Sequence, residues 1–131
     1  MRTLAQGGRS LLPEMIPGDP RLVEEWFRSV YVYRPEREEV LRTVFHMLGD
    51  LWRGGKIEGD CDDASIFLVA SYLSLGTPAR FVAIRYGGSP TFGHVFVEYL
   101  DRQYGHWITV DPTIPRGVAH QFNERLVVDG L

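Results

Sequence analysis

Three side chains could together carry out nucleophilic catalysis: Cys61, His94 and Asp111. Thiol catalysis requires a thiolate, an imidazole that moves protons, and a third group that holds this imidazole in one tautomer. Cys61 is the single cysteine of the chain, so it cannot form an internal disulfide. A lone cysteine is more often an inert buried residue than a nucleophile, so its sequence context must decide between the two interpretations.

The residues after Cys61 predict a helix with the sulfur at its N-terminus. Residues 61–75 are apolar on nearly every side, Gly76 is placed as a C-terminal cap, and Pro78 follows. Such a helix is normally buried, so its first residue projects from a rigid element. The N–H groups and positive dipole at this end favour the anionic sulfur and could stabilise an oxyanion.

Acidic residues surround the cysteine. We interpret Asp60, Asp62 and Asp63 as cap and first-turn acids, although their charges disfavour a thiolate. A metal site is the alternative. Successive residues at a helix start diverge, however, and no His or Cys pair has metal-ligand spacing, so we predict no metal and no cofactor.

The runs after Ala79 are typical of antiparallel strands. We predict them at residues 80–86, 94–100 and 106–110, with a possible short edge strand at 125–128.

The lengths of the predicted turns bring the imidazole to the carboxylate. A turn at 101–104 pairs Glu98 with Trp107 and continues to His94 opposite Asp111. Directly opposite residues share a face, with Cβ atoms ~5 Å apart, so the carboxylate can accept the imidazole N–H. On the other side, a turn at residues 87–90 sets Ala83 beside His94.

Two helices are predicted before the cysteine. Asp19 and Pro20 resemble an N-cap and first-turn pair for a short helix through residue 30. Pro35 can open a second helix, which the glycines at 54 and 55 stop. Residues 31–34 look extended, and residues 56–60 are predicted as a polar loop.

Four segments together resemble the transglutaminase-like superfamily. They are Gly59-Asp60-Cys61-Asp62-Asp63, Leu75-Gly76-Thr77-Pro78-Ala79-Arg80-Phe81, His94-Val95-Phe96-Val97-Glu98, and Trp107 with Val110-Asp111-Pro112-Thr113. Their order and spacing match the family over residues 31–113. The resemblance implies an α+β, papain-like core in which a cysteine-bearing central helix packs on an antiparallel sheet of three or more strands. In it, Cys61, His94 and Asp111 occupy the triad positions.

The resemblance also implies acyl transfer through a thioester. We expect a cysteine-nucleophile enzyme, a hydrolase or protease or else a transamidase, that acts on an amide or peptide-like bond. Compact members of this kind look like bacterial or phage proteins, and the small size argues against a calcium-regulated cross-linker. Trp26, Tyr31 and Tyr33 are all candidates to help hold the oxyanion. The alternative is a non-catalytic binding or assembly domain that retains the fold.

The composition limits the classes of binding partner and the domain organisation that we expect. Of the 131 residues, 14 are basic and 17 acidic, without basic blocks, so nucleic acid is not expected. The sequence has no recognisable export signal, and its longest apolar stretch, 64–75, falls short of the ~20 residues that span a bilayer. We expect a cytoplasmic protein with a protein or peptide-like amide substrate and no membrane partner.

Residues 1–20 are predicted as a flexible or extended lead-in and 21–131 as a single domain. His46, His106 and His120 are assigned no function, and the oligomeric state stays open.

Overall fold

Three helices and six strands form the part of the chain that the computed structural model describes, residues 16–34, 44–86, 91–122 and 124–130. In chain order they are α1 (Pro20–Val30), β1 (Tyr31–Tyr33), α2 (Val44–Gly54), β2 (Ile57–Gly59), α3 (Cys61–Ser74), β3 (Ala79–Arg85), β4 (His94–Asp101), β5 (His106–Val110) and β6 (Glu124–Asp129). The predicted α+β class is confirmed. Residues 1–15 of the predicted lead-in lie outside the described residues.

The strands form two separate sheets. Four are antiparallel in the order β5-β4-β3-β6, so the edge strand predicted at 125–128 is present and pairs with β3. The second sheet is a short parallel pair of β1 and β2. The extended conformation predicted for residues 31–34 is confirmed for β1, whereas the polar loop predicted at 56–60 is wrong, because residues 57–59 pair with β1.

Helix α3 is the centre of the core because its apolar residues lie on every side. Its residues from Asp63 to Leu73 are all buried, and it packs on β3 and β4. The helix ends in a Schellman motif, in which the N–H of Thr77 donates to the carbonyl of Tyr72 at 2.9 Å. Gly76 has the positive φ of 72° that this motif requires. The cap predicted from the sequence is therefore confirmed.

The predicted ends of the other two helices agree with the structure wherever they fall within the described residues. Helix α1 begins at Pro20, and its N-cap Asp19 accepts a hydrogen bond from the N–H of Arg21 at 2.9 Å. Helix α2 ends at Gly54, and Gly55 follows with a φ of 70°. The predicted start of this helix at Pro35 lies outside the described residues. No helix in the described ranges is both long and apolar enough to cross a bilayer.

The β4–β5 register differs from the prediction by two residues. Glu98 pairs with Thr109, not with Trp107, because the strands continue to Asp101 and His106 before the chain turns. The turn closes with a hydrogen bond of 2.7 Å from the Gly105 N–H to the Asp101 carbonyl. A shift of two residues leaves every side chain on its predicted face.

The β3–β4 register differs by one residue. His94 pairs with Ile84 and not with Ala83, which pairs with Val95. The prediction was wrong because the connection is longer than a four-residue turn: β3 ends at Arg85 and β4 begins at His94. A one-residue slip moves Ala83 to the face opposite His94, so it does not lie beside the imidazole.

Candidate active site

Cys61 is the first residue of α3, and the acids around it form a capping box. The side chain of Asp60 accepts hydrogen bonds from the N–H groups of Asp62 and Asp63 at 3.0 and 3.1 Å, and the Asp63 carboxylate accepts from the Asp60 N–H at 3.3 Å. The interpretation of Asp60 and Asp63 as helix-stabilising acids is confirmed. Because its neighbours are fixed in this way, the half-buried Cys61 projects from a rigid helix start.

Close packing before the helix explains the glycine at position 59. A Cβ atom on Gly59 would lie 2.6 Å from the Cβ atom of Asp63. The Gly59 carbonyl also accepts a hydrogen bond of 2.7 Å from the Tyr31 hydroxyl. The chain entering the cysteine helix is thus held from both sides.

His94 and Asp111 are brought together as predicted. His94 Nε2 lies 2.5 Å from Asp111 Oδ2, and Asp111 is only 4% exposed. Continuing the observed register by one step from the Val97–Val110 pair sets Asp111 opposite Phe96, so it is a diagonal neighbour of His94. Diagonal Cβ atoms are somewhat less than ~7 to 8 Å apart, which an imidazole and a carboxylate can bridge.

Hydrogen bonds occupy both oxygens of Asp111. Oδ1 accepts from the N–H and the hydroxyl of Thr113, at 3.0 and 2.6 Å, and Oδ2 also lies 2.8 Å from His120 Nε2. Burial raises the pKa of Asp111, but the hydrogen bonds from His94, Thr113 and His120 outweigh burial, so its pKa lies well below the usual range. Asp111 is therefore ionised and accepts on both oxygens.

The imidazole of His94 joins the carboxylate to the thiol. Its pKa is raised to about 10, first by the hydrogen bond to Asp111 and then by a hydrogen bond to Cys61, against the opposing effect of burial. Because Nε2 faces Asp111, Nδ1 is the ring nitrogen left for the sulfur. The raised pKa favours the imidazolium form of His94, which lies between a carboxylate and the thiol.

A cavity of about 370 Å³ opens at the thiol. Its lining consists of Tyr33, Cys61, Tyr86, Gly93, His94, Thr113 and Ile114. Cys61 and His94 therefore face one space large enough for part of a substrate.

The three aromatic residues considered for the oxyanion lie in different environments. Trp26 stacks on Phe67 of the core, with ring centroids 6.2 Å apart. The hydroxyl of Tyr31 is committed to Gly59, and burial followed by the charge of Cys61 raises its pKa well above the usual range. Of the three, Tyr33 alone lines the cavity at Cys61.

His120 belongs to this cluster, although no function was predicted for it from the sequence. Its pairing with Asp111 is not visible in the sequence, because residue 120 lies in an irregular segment without hydrophobic periodicity. One ligand atom each from His94, Asp111 and His120 lies within 4.8 Å of the others, so these residues could hold a metal ion. In this structure the two imidazoles instead share the Asp111 oxygen.

Comparisons with known proteins identify the family and the fold. The model of the transglutaminase-like superfamily matches residues 6–112, and the chain belongs to this family. The fold also resembles a solved structure from Cytophaga hutchinsonii that is described as a "putative cysteine protease", with a TM-score of 0.59 and 17% sequence identity. The similarity covers 83% of this chain and 37% of that one, so this chain spans little more than a third of its neighbour. No curated protein matches the chain.

Proposed function

We propose that this protein is a thiol-dependent acyl-transfer enzyme that acts on an amide or peptide-like bond. The observation that carries the proposal is the His94–Asp111 pair beside a thiol at a helix N-terminus, with Cys61 and His94 lining the same cavity. Membership of the transglutaminase-like superfamily supports it. We expect the substrate to be a protein or peptide, with no nucleic-acid or membrane partner.

In the proposed mechanism Cys61 reacts as the thiolate, with its proton on His94. The sulfur attacks the carbonyl carbon, and the His94 imidazolium protonates the amine as the C–N bond breaks. Asp111 orients the imidazole so that one ring nitrogen faces the substrate. The carboxylate also stabilises the positive charge of the protonated ring. Water or a second amine then attacks the thioester, with His94 accepting the proton, and the acyl group leaves as an acid or a new amide. Because the Asp62 and Asp63 N–H groups donate to Asp60, we expect the N–H of Cys61 itself and the Tyr33 side chain, which lines the cavity, to stabilise the oxyanion.

Amine release from a panel of peptide amides tests this proposal. The wild-type protein should release amine and form a thioester with an activated acyl ester, detected by intact-protein mass spectrometry. Cys61→Ser should abolish both signals, because it removes the nucleophilic sulfur. The melting temperature should not change, because the substitution alters only one atom at a helix start. Added glycine ethyl ester separates the outcomes, since a transamidase converts the acyl group to the new amide and a hydrolase to the acid.

Equal amine release by wild type and Cys61→Ser would overturn the proposal. The non-catalytic binding or assembly domain would then be the better description of the same fold.

A further inference from the structure

The ring of His120 is buried against the candidate site. Its side chain is 8% exposed, and Nε2 lies 2.8 Å from Asp111 Oδ2, the oxygen that His94 also contacts. Its ring stacks face to face on Phe96, with centroids 4.0 Å apart and an interplanar angle of 8°. Both the orientation and the depth of the imidazole are therefore determined by its contacts.

The backbone leading to His120 is anchored by α1. The guanidinium of Arg28 donates to the carbonyl oxygens of Asp111 and Ile114, both at 2.8 Å. Glu24, one helical turn before, accepts from Arg28 Nε at 3.2 Å and holds the guanidinium in place. The segment that carries His120 is thus attached to the helical layer.

The protonation of this contact follows from its partners. An ionised carboxylate only accepts hydrogen bonds, so His120 must present an N–H at Nε2 to Oδ2. Thr113 occupies the other oxygen, and the Asp111 carboxylate cannot rotate without breaking bonds on both sides. His120 therefore restricts the group that orients His94.

We propose that His120 is a positioning residue for the site, whose Nε2–H keeps the Asp111 carboxylate aligned with His94. The proposal rests on the function proposed above, because it assigns His120 a role in maintaining the Cys61–His94 pair. Three charged side chains, Glu24, Arg28 and Arg116, line a cavity of about 390 Å³ together with His120.

Two substitutions separate the hydrogen bond from the packing. His120→Phe keeps a ring on Phe96 and removes the donor, whereas His120→Gln removes the ring and keeps an amide N–H at the same number of bonds from Cα. His106→Phe is the matched control, since His106 is exposed at the start of β5. The measurements are kcat and KM for the best peptide amide and the pH profile of Cys61 alkylation by iodoacetamide, which needs no substrate. A chelator excludes metal from the three-residue cluster.

His120→Phe should lower kcat about tenfold with little change in KM, the effect of losing one hydrogen bond to a charged group. It should also reduce Cys61 alkylation below neutral pH. His120→Gln should restore most of both, and His106→Phe should match the wild type.

A wild-type alkylation profile like that of a free thiol, unaffected by His94→Ala, would overturn the proposed function together with this role. A wild-type profile that depends on His94, but that His120→Phe leaves unchanged, would overturn the role of His120 alone. Equal losses of rate and melting temperature in the Phe and Gln variants, with an unchanged pH profile, would also overturn it by showing that His120 is only packing.

Discussion

His94 reaches Asp111 along a diagonal of the β4–β5 pair, and the far ring nitrogen, Nε2, makes the contact. This geometry leaves Nδ1, the nitrogen nearer the backbone, for the Cys61 sulfur. Since Asp111 is also held by Thr113, the orientation of the imidazole depends on a carboxylate that cannot turn freely. Asp111 therefore holds the imidazole on the side of the sheet, and the other ring nitrogen can act on a substrate in the cavity.

Replacing the orienting carboxylate should remove activity and keep the fold. In Asp111→Asn an amide can donate to Nε2, so the ring settles in the wrong tautomer. The corresponding change in a serine-protease triad costs roughly 10⁴ in turnover. We expect a fall of that order in kcat, measured with a peptide amide. The fold should persist, because Asn can still accept from Thr113, but with a lower melting temperature, because the charge that pairs with His94 is lost. The control is Asp129→Asn on the exposed edge strand β6, and equal kcat values for the two variants would contradict the assignment.

The free energy of unfolding should depend on pH through His94. Its pKa rises from 6.5 to about 10 on folding, so the protonated ring stabilises the folded state. A raised pKa contributes stability that is complete below the unfolded value and is lost as pH rises through the folded one. Urea unfolding should therefore show a difference between wild type and His94→Gln that is largest near pH 6 and falls steadily between pH 6.5 and 10. A difference that stays constant over this range would show that the ion pair does not form.

Gly59 should be essential for the helix start. In Gly59→Ala the new methyl group would collide with Asp63, so the capping box has to open. Forced overpacking of this kind costs about 1 to 3 kcal/mol in the free energy of unfolding, measured by urea denaturation. Cys61 alkylation should also change, because the sulfur is on the first residue of the helix. The matched control is Gly54→Ala, where nothing lies within 4 Å of the added Cβ atom. Equal stability of the two variants would show that the packing at Gly59 can relax.

The two tyrosines before the cysteine should have different roles. Tyr33→Phe removes a hydroxyl from the cavity lining and, if that hydroxyl stabilises the oxyanion, should lower kcat about 10²- to 10³-fold at unchanged stability. Tyr31→Phe removes the hydrogen bond to Gly59 and should cost about 1 kcal/mol in the free energy of unfolding, with a smaller effect on kcat. Steady-state kinetics and urea unfolding of both variants check the assignment, and an unchanged kcat in Tyr33→Phe would leave the oxyanion to backbone N–H groups.

The elements that carry the site could be predicted because they depend on local chemistry. Asp60 and Gly76 delimit α3 through a capping box and a left-handed cap, interactions that involve only residues close in sequence. The apolar residues between them required burial wherever the helix packed. Likewise, His94 and Asp111 stay on the same face of the sheet when the register shifts by an even number of residues. Their predicted contact therefore forms although the register differs by two residues from the prediction.

Tertiary structure decided what depends on residues far apart in the chain. The pairing of Ile84 with His94 depends on the length of the connection between β3 and β4. The turn-forming residues in this connection did not define its length. The β1–β2 pair also required two short segments to meet across helix α2. His120 reaches Asp111 because Arg28, 83 residues before Asp111, holds the intervening backbone. A solitary histidine in an irregular segment has no local partner that defines its position, so only long-range contacts could bring it to the site.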